Sequence, residues 1–138
     1  MKNLDYYQSL PESPSVELME NEFDYLIDNL LLNLNFNDLL PILYELSDRQ
    51  WNTYTIANDK IKNAVSEYLI KFIDVNSEND IDSALHISLA MGLSSVYFYI
   101  LDNFNNIINV NVKNLINEYK REVVDITNPY IGIVRRLG

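Results

Sequence analysis

Few residues in this sequence have the type and spacing that chemistry requires. The run Asp74-Val-Asn76-Ser-Glu78-Asn79-Asp80-Ile81-Asp82-Ser-Ala-Leu85 places oxygen-bearing side chains at positions 1, 3, 5, 7 and 9 of an EF-hand calcium loop. Asn79 stands where that loop needs glycine, and Leu85 where it needs a bidentate glutamate, so a hard cation loses essential ligands. A capped, solvated loop is the expectation there. His86 is the only histidine; it follows Asp82 by four residues and Glu78 by eight, so the three can share one helical face. A catalytic metal normally takes three protein ligands with more than one imidazole, which makes a half-buried or surface histidine the expected role. Cysteine is absent. Any dyad or triad would need His86 itself, and neither a Gly-x-Ser-x-Gly elbow nor a phosphate-cradling glycine loop occurs. No catalytic residue, metal site or cofactor is expected.

The remaining chemistry is charge. The 138 residues carry a formal net charge of −10, and residues 1–48 hold ten acids against Lys2 alone. Residues 109–138 are slightly basic, but Lys120-Arg121 and Arg135-Arg136 are too sparse for a nucleic-acid stripe. A chain of this sign repels nucleic acid and anionic membrane and attracts basic surfaces. No apolar run approaches a membrane span, and the first residues lack the apolar region of a signal peptide. With cysteine absent, a cytoplasmic protein is expected.

Hydrophobic residues make up 48% of the chain and charged residues 22%, enough for one domain, residues 1–138, with a real core. Three glycines and no Asn-Gly or Asp-Gly hairpin signal argue against strands, and the apolar period is helical throughout. Residues 1–14 read as an irregular lead-in. Helices are predicted from about Val16 to Leu34, from Asn35 or Asn37 to Ser47-Asp48, from Tyr54 to Ile73, and from Ser77 to Gly92. Others follow from Ser94 or Ser95 to Phe104 and from Asn111 to Glu122, and a short last helix from Thr127-Asn128-Pro129 to Leu137. Longer helices begin near 16, 54 and 94 and each is followed by a partner. Such spacing suggests stacked helix pairs, a short HEAT/armadillo-like solenoid, with a non-repetitive helical bundle as the alternative.

On the first long helix Phe23, Leu26, Ile27, Leu30 and Leu34 form a core face. Glu17, Glu20, Asp24 and Asp28 form an acidic stripe set off that face. Leu18, Tyr25 and Leu32, seven residues apart, make a third, apolar seam. The commoner fate of such a seam is burial against another helix or the N-terminal arm; otherwise it docks a partner. Trp51, in the polar link Arg49-Gln50-Trp51-Asn52-Thr53-Tyr54, is either a plug over the end of the core or a binding anchor.

A short, acidic, Asn- and Ile-rich, cysteine-free chain of helix pairs resembles the immunity proteins of bacterial contact-dependent growth inhibition and related polymorphic toxin systems. The residues carrying the resemblance are Phe36-Asn-Asp-Leu-Leu-Pro-Ile-Leu-Tyr-Glu-Leu46, the repeated pairs and the acidic N-terminal third. It implies a non-enzymatic protein that binds a cognate basic toxin domain, often a nuclease, as a monomer in a 1:1 complex. On that reading Glu17, Glu20, Asp24, Asp28, Asp38, Glu45 and Asp48 steer or pair with the partner, and Tyr25, Tyr44, Trp51 and Tyr54 anchor it. A helical adaptor of unrelated role is the second reading, and a metal-dependent hydrolase using carboxylates and His86 the third.

Overall fold

The computed structural model describes residues 2–130; the last expected helix, running to Leu137, falls largely outside them. Among the described residues there are helices and no strands, as the glycine count and apolar period require. The α-helices are α1 (Leu4–Gln8), α2 (Val16–Tyr25), α3 (Phe36–Trp51), α4 (Asp59–Phe72), α5 (Glu78–Met91), α6 (Ser94–Asp102) and α7 (Val110–Glu122). A π-helical turn, Leu26–Leu30, continues α2, and a 3-10 turn, Phe104–Asn106, follows α6. No helix among them is long and apolar enough to cross a membrane.

Asparagine and serine set the starts. Asn3, Ser15, Asn35, Asn58, Ser77 and Asn109 each turn a side-chain oxygen onto an otherwise orphaned N–H of the first turn. Gly92 ends α5 at φ +69°, a left-handed conformation that glycine adopts without a Cβ penalty. The loop Asp74–Asn79 is capped as expected: Asp74 Oδ1 accepts from Asn76 N–H, and Asp80 turns its carboxylate onto Asp74 N–H at 2.9 Å.

Contacts run in two rows. In one, α1 packs on α3, α3 on α5 and α5 on α7; in the other, α2 and its π-helical turn meet α4, and α4 meets α6. Joining the rows are α2 with α3 and α5 with α6. Between them lies one apolar core that includes Phe23, Leu43, Leu46, Ile61, Leu69, Leu85, Ile100 and Ile116. The packing admits either the stacked-pair or the bundle description.

Several expectations are corrected. Residues 1–14 are not wholly irregular, because α1 forms there and sinks Tyr7 completely into the core. The helix expected to run from Val16 to Leu34 changes register at Leu26. There Leu31 N–H reaches the Leu26 carbonyl, and the Asn29 side-chain amide takes the Tyr25 carbonyl. Asparagine competing for a backbone acceptor is the physical cause. The α4 helix begins at Asp59 instead of Tyr54, since Asn58 caps it and Tyr54 sits at φ +56°. Trp51 ends α3 and does not lie in a link. Phe72 continues the three- and four-residue apolar spacing of α4 from Leu69 and Tyr68, which predicts an inward side chain, yet it is 47% exposed; it stacks at the surface on Phe36, 6.3 Å away.

The expected third seam of α2 is split. Leu32 is 90% exposed. Tyr25 is covered by the N-terminal arm, with Lys2 Nζ 4.4 Å from its ring. Lys2 also pairs with Glu22 at 3.2 Å, and Tyr6 OH donates to the same carboxylate at 2.6 Å. Glu22 is 3% exposed, a buried charge made tolerable by these two donors. Burial works against the Lys2 ammonium, yet its bonds to Glu22 and Tyr6 outweigh burial and hold its pKa above the ordinary range.

Two substitutions test this packing by denaturant unfolding. Gly92→Ala places a Cβ 2.9 Å from the Thr127 carbonyl oxygen at a left-handed φ, so a loss of about 1–2 kcal/mol or more is expected. Tyr7→Phe deletes a buried hydroxyl that has no hydrogen-bond partner among the described residues, so stability should hold or rise by about 1 kcal/mol.

Candidate functional site

The α3 residues Tyr44, Glu45, Asp48 and Trp51 fall three or four apart and share one face. Packing of α3 on α5 brings that face against Asp82 and His86, which lie one turn apart on α5. His86 Nε2–H donates to Asp48 Oδ1 at 2.6 Å. The Tyr44 ring stacks on the imidazole, with centroids 4.1 Å apart and planes at 11°. On the far side Tyr119 of α7 donates to Asp82 at 2.9 Å. Partial burial, then Asp48, Asp82 and Glu45, raise the Tyr44 phenol above its ordinary pKa.

The one cation on this stretch of α3 is engaged internally. Arg49 is buried, with Nη1 on Glu45 at 2.6 Å and Nη2 donating to the carbonyls of Gln8 at 3.0 Å and Leu10 at 3.3 Å. It therefore ties down the end of α1 and offsets Glu45 alone. Asp48, Asp82, Glu118 and Asp125 are left to set the sign of the surface.

Beside His86 opens a cavity of about 100 Å³, walled by Trp51, Leu89, Ala90, Val123, Ile126 and Pro129 and bordered by Asp48, Asp125 and Asn128. A second, shallower depression joins Asp82 and His86 to Leu115, Glu118, Tyr119 and Glu122. Asp125 accepts from Thr127 Oγ1 at 2.6 Å and from Thr127 N–H at 3.0 Å; those bonds hold its carboxyl below the usual range.

An aromatic cluster adjoins the cavity. Tyr54 stacks on Tyr130 at 5.8 Å, and Trp51 lies 6.1 Å from Tyr54 and 5.9 Å from Tyr130. Tyr130 OH donates to the Trp51 carbonyl at 3.0 Å. The loop beneath Tyr54 is knitted locally: Gln50 Nε2 donates to the Thr55 carbonyl at 2.7 Å, and Thr53 Oγ1 to the Gln50 carbonyl at 2.7 Å. These bonds hold Tyr54 at positive φ, with the residue 77% exposed. An exposed tyrosine in a conformation that costs about 1 kcal/mol is kept there by the loop around it.

Of the residues singled out from the sequence, Tyr44, Glu45, Asp48, Trp51 and Tyr54 thus come together. Asp38 lies further along α3, in its first turn, with its N–H donated to the Asn35 cap. Glu17, Glu20 and Asp28 are exposed on α2 and the π-helical turn, apart from the cavity, and Asp24 pairs with Lys60 at 3.4 Å. Tyr25 belongs to the N-terminal clasp. Sequence reasoning missed His86, Asp82, Asp125, Tyr119 and Tyr130 as members. Only the four-residue step from Asp82 to His86 was visible locally; the partner His86 takes lies 38 residues away.

No Ser, Thr or Lys nucleophile among the described residues lines the cavity beside the Asp48–His86 pair. Among the described residues no group of three or more His, Asp or Glu side chains is arranged to hold a metal ion. What the arrangement offers is fixed negative charge beside exposed aromatic surface. Comparison of the chain with protein-family models, with curated protein sequences and with solved structures finds no match in any of the three.

Tyr54→Gly tests what the strained tyrosine contributes to the fold. Relief of backbone strain offsets the lost ring contacts, so stability should stay within about 1 kcal/mol of the parent, as read by a denaturant curve.

Proposed function

We propose that this chain is an immunity protein that binds a cognate basic toxin domain, of the ribonuclease kind, and occludes its active site. It acts in the cytoplasm as a monomer in a 1:1 complex and performs no catalysis itself. The observation carrying this reading is the electronegative face on α3, α5 and α7, beside which Arg49 is spent on internal carbonyls and Glu45. Carboxylates held on packed helices occupy positions a nucleic-acid backbone would take on such an enzyme, at little ordering cost. The exposed Tyr54 ring, backed by Trp51 and Tyr130, supplies the aromatic contact area that interface hot spots favour.

On this reading the contact lies on the α3–α5–α7 face, and the acidic stripe of α2 steers from outside. Charge fixed in the contact governs dissociation, whereas peripheral charge governs the rate of encounter.

Co-expression with the basic toxin domain should restore growth and yield a stable complex. The triple change Asp48→Lys, Asp82→Lys, Glu118→Lys should weaken that complex by about 100-fold or more and abolish rescue. Glu17→Lys, Glu20→Lys, Asp28→Lys together should slow association several-fold and leave dissociation nearly unchanged. Circular dichroism of each variant, which should match the parent, serves as the folding control. Undiminished affinity in the first triple variant would sink the reading, and a partner that is no toxin would move the chain to the helical-adaptor class.

A further inference from the structure

The cavity beside His86 has chemistry more specific than a charged surface. Its walls are apolar and partly planar, formed by the Trp51 indole, the His86 imidazole, Leu89, Val123 and Ile126. Asp125 is exposed and the Asp48 side chain is 47% exposed, so both carboxylates stand at the solvent side. Each has one oxygen engaged, by His86 and by Thr127 respectively, and each keeps a second oxygen able to accept. The Trp51 indole N–H is buried and lacks an acceptor among the described residues.

Size narrows the occupant. A cavity of about 150 Å³ holds one benzene, so about 100 Å³ suits the end of a side chain and not a whole metabolite. Apolar walls favour a methylene stem, and flat rings favour a planar cation. Two carboxylates at the opening match a forked donor better than the compact, strongly hydrated ammonium of lysine.

We infer that this cavity is an arginine-binding pocket, taking one arginine side chain of the basic partner between Trp51 and His86 with its guanidinium on Asp48 and Asp125. This deepens the proposed partner reading and rests on it only for whose arginine is bound.

The chain's single tryptophan makes the test direct. N-acetyl-arginine amide is titrated into the full-length protein while the Trp51 indole N–H signal is followed by NMR. The expected result is a saturable shift with a dissociation constant of about 1–10 mM. The neutral isostere N-acetyl-citrulline amide should bind at least tenfold more weakly. Asp48→Asn with Asp125→Asn should abolish the shift at an unchanged thermal midpoint, and Ala90→Leu, which fills the cavity without touching its charge, should do the same. Absence of a saturable shift, equal binding of the citrulline probe, or full binding by the double variant would each overturn the assignment. So would binding that emerges only when Arg135→Gln and Arg136→Gln are introduced, since the occupant would then be the chain's own arginine. A self-associating protein in which the shift tracks dimer formation would give the cavity to a second copy and overturn it as well. The titration needs no toxin, so this pocket and the immunity reading fail separately.

Discussion

The buried guanidinium of Arg49 connects the fold to its surface. It lies at the end of α3, accepts no bond of its own, and spends its donors on Glu45 and on the carbonyls of Gln8 and Leu10. A buried cation must be paired and hydrogen-bonded or it is prohibitively costly. Here that requirement anchors the N-terminal arm across α3 and removes positive charge from a face otherwise lined by carboxylates. The Lys2–Glu22 pair applies the same rule at the other end of the arm with the sign reversed: the carboxylate is the buried member. Between them α1 is fixed, and the rest of α3 is free to dock on α5.

That docking decides the site. The Asp48–His86 bond and the Tyr44 ring stacked on the imidazole span the α3–α5 seam at the surface, directly above buried leucines of both helices. Burial of each such leucine contributes about 1.5–3 kcal/mol, far more than a part-exposed charge pair supplies. The polar contacts therefore choose the register and orientation of the face, while the apolar seam supplies the stability. The aromatic trio Trp51, Tyr54 and Tyr130 sits where α3 ends and the 123–130 segment returns, so charge and ring surface adjoin without sharing a helix.

Local signals in the sequence were legible where they were backed by capping chemistry. Ser77, Asn35 and Gly92 mark real ends because a short polar side chain or a missing Cβ has few other uses there. Along α4, α5 and α7 the apolar period leads to buried residues at Ile61, Leu69, Leu85, Val112 and Ile116, although Phe72 at the end of α4 stays exposed. It misled where periodicity continues past a change of backbone. Leu26, Leu30 and Leu34 suggest an unbroken helix although the hydrogen bonding switches at Leu26, and Tyr54 looks like a helix start although Asn58 supplies the cap. The resemblance drew attention to α2, whose acids are close in sequence. The assembled face instead joins residues from α3, α5, α7 and the 123–130 segment. No single-helix pattern can announce that set, since it exists only once the rows have stacked.

The central claim is that one assembled face, and not the α2 stripe, meets a basic partner. Amide hydrogen exchange of the full chain, alone and in complex with the basic toxin domain proposed as its partner, reads this directly. The account predicts new protection over residues 44–57, 82–90 and 123–130, with α2 exchanging as before. Protection confined to residues 16–30, with those three segments unchanged, would contradict it.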